Sequence, residues 1–149
     1  MEDRGLIGIG AVMTKTARAI AIPTERAALA RMYLELTMAF HATIFAPGKE
    51  PPECDCNLTL VAVTVMLGHA EGRAMNVSQI AARLRMPRTT VIRRLRTLVA
   101  RGLIVADKGR YYLEPVRAAD VPHRDKFDLI LSRSFAVLGL QEALDGYYR

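Results

Sequence analysis

The chain has 149 residues, 51% hydrophobic and 24% charged, with a net charge of +6 and two cysteines. That length suits one domain with a real core, and two cysteines cannot build a disulfide framework. No run reaches the roughly 18 apolar residues of a membrane span. The N-terminus also lacks the basic start and small-residue cleavage site of a secretory signal, so a cytoplasmic protein is expected.

Residues 1–22 read as an N-terminal arm, because Gly5, Gly8 and Gly10 argue against a strong helix. The arm is either a loosely packed tail or a cover for a partner subunit. Residues 23–57 hold a long helix and a loop. Pro23-Thr24-Glu25 opens the helix with Thr24 as cap, and Pro47-Gly48 stops it after about Ala46. Ala27, Leu34, Met38 and Phe45 lie along it, with Tyr33, Leu36 and Phe40 on neighbouring faces. Apolar surface on so much of the circumference predicts burial against more than one partner. His41 on this helix is read as a packed residue. The loop Pro47–Cys56 contains Glu53-Cys54-Asp55-Cys56. Its Cys-x-Cys spacing has no second pair to complete a zinc or redox site, so free thiols and no metal or cofactor are expected.

Leu60–Glu71 sets local propensity against length. Val61, Val63 and Val65 favour strand, yet the run is long, Thr59 can cap it and Gly72-Arg73 ends it, so it is read as a helix. Asn76–Gly102 reads as two helices joined by a tight corner. Asn76 and Gln79 have the spacing of a capping box, in which each side chain meets the other residue's amide. Ile80, Ala81 and Leu84 share one face. Pro87 opens the second helix, where its missing donor costs nothing. Val91, Leu95 and Leu98 recur at core spacing, while Thr89, Arg93 and Arg96 point nearly opposite, with Arg88 at the tip. Such a helix suits a DNA major groove. From Arg73 to Arg110 ten basic residues face one acid, Asp107, so this span carries +9 and the rest of the chain −3. The basicity is local, as a footprint for phosphates should be. Gly102 is a left-handed cap. Leu103–Ala106 then reads as a strand, Asp107-Lys108-Gly109 as a turn and Arg110–Glu114 as the return strand. Glu114-Pro115 halts that strand, Ala118–Pro122 is a linker, and a last helix capped by Asp120 or Val121 begins near Pro122. Phe127, Ile130 or Leu131, Ser134, Val137 or Leu138, and Leu144 form its apolar stripe.

Two helices and a hairpin make a winged helix-turn-helix, and here a resemblance becomes explicit. Leu58–Leu113 resembles the DNA-binding lobe of the multiple-antibiotic-resistance regulator (MarR) family. The runs that carry it are Leu58-Thr59-Leu60, Asn76-Val77-Ser78-Gln79-Ile80-Ala81, Arg88-Thr89-Thr90-Val91 and Arg101-Gly102-Leu103-Ile104. Two features depart from the family: Arg85 stands where the corner usually has Gly, and the short wing offers only Lys108 and Arg110 as cations. The resemblance implies a mainly α (α+β) fold, with a winged lobe over 58–115 flanked by dimerisation helices in 23–57 and 116–149. It implies a homodimer held by Leu34, Met38, Phe127, Leu131 and Leu138, although packing of the last helix onto residues 24–46 of its own chain is the alternative. The implied function is transcription regulation on a pseudo-palindromic operator. Arg88, Thr89 and Arg93 would meet base edges, and Arg73, Arg85, Thr90, Arg96, Lys108 and Arg110 mostly phosphates. A small-molecule effector would bind between the dimer helices and the lobe. A winged helix used only for protein–protein assembly is the second reading. Catalysis is not expected, because His41, His69 and His123 fall in separate elements with no nucleophile motif or phosphate-binding loop.

Overall fold

The computed structural model describes residues 21–46, 48–120 and 124–139. The expected N-terminal arm up to residue 20, the candidate cap Val121, His123 and Leu144 lie outside that range. Among the described residues six helices and one hairpin follow in order: α1 (Thr24–Ile44), α2 (Cys56–Ala70), α3 (Val77–Leu84), α4 (Arg88–Ala100), β1 (Ile104–Asp107), β2 (Arg110–Leu113), α5 (Pro115–Ala119) and α6 (Arg124–Leu138).

Both ends of α1 differ from the sequence expectation. Thr24 is the first helical residue and not the cap. Pro23 takes the cap position, with φ −54° and ψ 142°, and its carbonyl accepts the Ala27 N–H at 3.1 Å. The helix stops at Ile44, before Pro47, because Phe45 turns extended to bury its ring. That ring lies 4.9 Å from the His41 ring and beneath the Arg101 guanidinium, 4.2 Å from its centroid. His41 is itself buried, as expected of a packed residue.

The valine-rich segment is helix, as its length requires, but it begins four residues before Leu60, at Cys56. Asp55 and not Thr59 is its cap, since Asp55 Oδ1 accepts the Leu58 N–H at 2.9 Å. Thr59 sits inside the first turn and donates its hydroxyl to the Asp55 carbonyl at 3.2 Å. The buried positions Leu58, Val61 and Val65 follow helical spacing, and burial on this stripe outweighs the weak strand preference of valine. Gly68 lets α2 approach the loop after it, because a Cβ there would meet the Arg73 carbonyl oxygen at 2.9 Å.

The capping box at Asn76 and Gln79 is complete, both bonds measuring 2.9 Å. Arg85 closes α3 in the left-handed region at φ 52°. Pro87 lies one residue outside α4, at its cap position. Gly102, at φ 72°, ends α4: Leu103 N–H reaches the Leu98 carbonyl at 3.1 Å and Gly102 N–H the Val99 carbonyl at 3.0 Å, the paired bonds of a Schellman cap. The hairpin pairs Ile104 with Leu113 and Asp107 with Arg110. Lys108 and Gly109 form its two-residue turn at φ 48° and 76°, the mirror-image geometry that matches strand twist. Met75 adds one bridge to Tyr111.

Part of the expected linker is structured. Glu114 caps the short helix α5 by accepting the Arg117 N–H at 2.8 Å, and the Arg117 guanidinium donates to the Thr43 carbonyl at 2.9 Å, tying α5 to the end of α1. The last helix then packs along α1 of the same chain. Phe40 and Phe127 rings lie 4.8 Å apart, and Arg133 meets Glu35 at 3.4 Å. One core, from Ile44 and Leu58 through Ile80, Leu95 and Leu98 to Ile104, joins α1 to the winged lobe. Among the described residues no helix is long and apolar enough to cross a membrane.

Candidate nucleic-acid interface

Helix α4 turns its two stripes as the periodicity requires. Val91, Leu95 and Leu98 are essentially sealed against α2 and α3. Thr89, Arg93 and Arg96 are exposed, Arg88 is exposed at the first turn, and Thr90 is half-buried between the stripes. The Arg88 guanidinium donates to the Ser78 hydroxyl of α3, which orients it across the corner between the two helices. Arg73, Arg83 and Arg85 are exposed around that corner. The Arg88–Ser78 bond brings the cation at the start of α4 against α3, and the stretch from Arg73 to Arg101 that holds these exposed cations contains no acid.

Three cations of the basic span have other duties. Arg94 pairs with Asp55 Oδ2 at 3.1 Å, on the side of α4 facing the loop before α2. Arg101 covers the Phe45 ring, a cation–π contact. Arg110, expected as a free wing cation, turns back to the lobe: its guanidinium donates to the Ala74 carbonyl at 2.5 Å and to Gln79 Oε1 at 3.4 Å. It braces the wing against α3, which leaves exposed Lys108 at the tip of the hairpin.

Sequence reasoning missed three residues that position this surface. Asp55 links the α2 cap to Arg94. His69 Nδ1 accepts the Leu113 N–H at 2.9 Å, and its ring stands edge-on to Tyr112, so α2 holds the second wing strand. Ser78 receives Arg88. Asp55 carries one local signal, as an acid three residues before the Leu58 N–H that it caps; its bond to Arg94 and the roles of His69 and Ser78 fall on partners at least ten positions away and leave no local mark.

The expected dimer residues are divided. Leu34 and Met38 are exposed on α1, beside exposed Leu29 and Tyr33. Phe127 and Leu131 instead line a cavity of about 450 Å³ within one chain. Leu138 ends α6. The cavity lies between α1, α2, α6 and the base of the wing; Leu36, Phe40, Val63 and Met66 supply much of its wall, and Arg117 is its single cation among the described residues. Cys54 and Cys56 are free thiols, and no group of three or more His, Cys, Asp or Glu side chains gathers around a common point among the described residues.

Residues 67–108 match the IclR helix-turn-helix domain. The match runs from the end of α2 to the turn of the wing and takes in both helices of the corner. It covers less than a third of the chain, and no curated protein or solved structure matches. The chain thus carries a winged helix-turn-helix of the kind found in DNA-binding transcription regulators. The matched family is a different one from the MarR family that the sequence resembles, so the finding supports the shared winged architecture and not MarR membership. The exposed Thr89, Arg93 and Arg96 all lie inside the IclR helix-turn-helix match.

Proposed function

We propose that the protein is a transcription regulator that binds a pseudo-palindromic operator as a homodimer and responds to a small-molecule effector. The observation that carries this reading is the α4 face: three exposed side chains, Thr89, Arg93 and Arg96, stand opposite the sealed Val91, Leu95 and Leu98. Arg88, Thr89 and Arg93 meet base edges near the start of the helix, where a recognition helix enters the major groove. Arg73, Arg85, Thr90, Arg96 and Lys108 hold phosphates. Arg110 contributes by fixing the wing.

A MarR-like arrangement accounts for the flanking helices. They pack on each other within one chain yet leave Leu34, Met38 and Tyr33 of α1 and Leu129 and Val137 of α6 exposed. A two-fold partner covering that surface would place two α4 helices one helical turn apart, roughly 34–36 Å, on one side of the duplex. The cavity under α1 and α6 falls within the about 300–1,000 Å³ range of small-molecule sites. A mainly apolar ligand with one acceptor group for Arg117 suits its wall, and filling it bears on the base of the wing.

Duplex binding measured over a range of salt tests the reading. Log affinity should fall steeply with log salt, by about 0.9 for each phosphate contact. A flat response would refute DNA binding and favour a winged helix used for protein assembly.

A further inference from the structure

The DNA-binding reading leaves the two cysteines unused, yet they bracket the residue that joins three helices. The Asp55 N–H donates to His41 Nε2 of α1 at 3.1 Å. Its Oδ1 caps α2 through the Leu58 N–H at 2.9 Å, and its carbonyl accepts the Thr59 N–H at 3.1 Å. Its Oδ2 pairs with Arg94 of α4 at 3.1 Å. Every polar group of Asp55 is thus committed to holding α1, α2 and the recognition helix together.

The backbone of Asp55, at φ −87° and ψ 89°, lies close to an inverse γ-turn, whose central residue has φ and ψ of about −75° and +65°. That turn draws the flanking Cα atoms together compared with an extended chain, toward the roughly 4.4–6.8 Å span of a disulfide. Both cysteines border one hollow of about 580 Å³ beside Arg94, Cys54 half-buried and Cys56 exposed. The two residues flank that turn and both line the hollow, so their thiols share one pocket. Partial burial, contact with Cys56 and the Asp55 carboxylate push the Cys54 thiol up from its ordinary range.

We propose that Cys54 and Cys56 form a peroxide-sensitive pair, and that their disulfide displaces Asp55, frees Arg94 and weakens DNA binding. Exposed Cys56 meets the oxidant. Its thiolate attacks one oxygen of hydrogen peroxide, the O–O bond breaks, and a sulfenic acid and hydroxide result, the hydroxide taking up the proton that the Cys56 thiol released to become the first water. Cys54 then gives up its proton and attacks the Cys56 sulfur as the thiolate. The S–S bond forms, the S–O bond breaks, and hydroxide leaves with the Cys54 proton as a second water. The two thiols lose two electrons and two protons, and one peroxide becomes two waters. Closing a ring around a single residue tightens Asp55 further, from ψ 89° toward the about +65° of the inverse γ-turn, and rotates both its peptide groups. The bonds to His41, Leu58 and Arg94 cannot all survive that change. Reduction by a small thiol restores them.

The effect on DNA rests on the function proposed above, whereas the disulfide and its effect on α2 do not. The test treats the full chain with hydrogen peroxide, digests it with trypsin and weighs the peptide between Lys49 and Arg73, which holds both cysteines. That peptide should lose two hydrogens. Amide exchange at Leu58 and Thr59 should accelerate, and duplex affinity should fall about tenfold, equivalent to about 1.4 kcal/mol. Dithiothreitol should reverse all three, and Cys54→Ser and Cys56→Ser should abolish them while binding DNA normally when reduced. Disulfides between chains, sulfinic acid without a disulfide, or unchanged exchange after the disulfide forms would each overturn the switch. A disulfide that loosens α2 but leaves DNA affinity unchanged would overturn its coupling to α4. Reduced protein that binds no duplex would instead refute the DNA reading, with the mass and exchange results still deciding the chemistry at Asp55.

Discussion

Arg93 and Arg94 are neighbours with the same side chain, yet one is exposed on the stripe opposite the core and the other is paired with Asp55 at 3.1 Å. The step of about 100° per residue between them follows from helix geometry and was legible in the sequence. The partner was not, because Asp55 lies on another element. The same holds for Arg110, whose guanidinium turns to the Ala74 carbonyl. Arg93→Ala should cost about 1–3 kcal/mol on the operator and relax preference at one position, while Arg96→Ala should weaken all duplexes alike. Anisotropy titrations on a duplex selected from a random pool and on its scrambled version measure both. Equal losses on the two duplexes for both variants would end the division of roles.

Among the elements, those bounded by local hydrogen bonds lay closest to expectation. The box at Asn76 and Gln79 and the Gly102 cap depend on residues within one or two turns, so their spacing alone announces them. Asn76→Ala removes one side of the box and should lower stability by about 1 kcal/mol. The urea midpoint should fall with an unchanged m-value, and an unchanged midpoint would show that the box contributes nothing. The start of α2 and the end of α1 were placed less well. Both are decided where Phe45, His41, Asp55 and Arg101 meet, residues drawn from three separate stretches of chain. The short helix α5 hid in an expected linker because a five-residue helix has too few positions to show a period.

For the whole molecule, α1 keeps an apolar face that α6 leaves bare: Leu34 is 61% exposed and Met38 48% exposed within one chain. An exposed position makes a clean test, since a charge there does not disturb the protomer's own core. Wild-type protein should sediment as a dimer at micromolar concentration. Leu34→Glu should shift it to monomer, because a charge buried without a partner costs several kcal/mol, and operator affinity should drop with the loss of the second half-site. A wild-type monomer would refute the dimer and the half-site spacing built on it.

The sequence by itself determined the winged helix-turn-helix: the capping box, the two-stripe helix α4, the left-handed cap and the hairpin turn. Each is written in spacings of one to seven residues, over which helix period and turn stereochemistry act directly. The local concentration of positive charge was equally plain, since charge needs no geometry to be counted. Tertiary structure alone decided which of the described cations of the basic span remain free, where α1 ends and α2 begins, that His69 holds the wing, and that Phe127 and Leu131 line a cavity within the chain. Those outcomes depend on side chains meeting across long separations in sequence, where burial and hydrogen-bond satisfaction are settled by packing and leave no periodic trace.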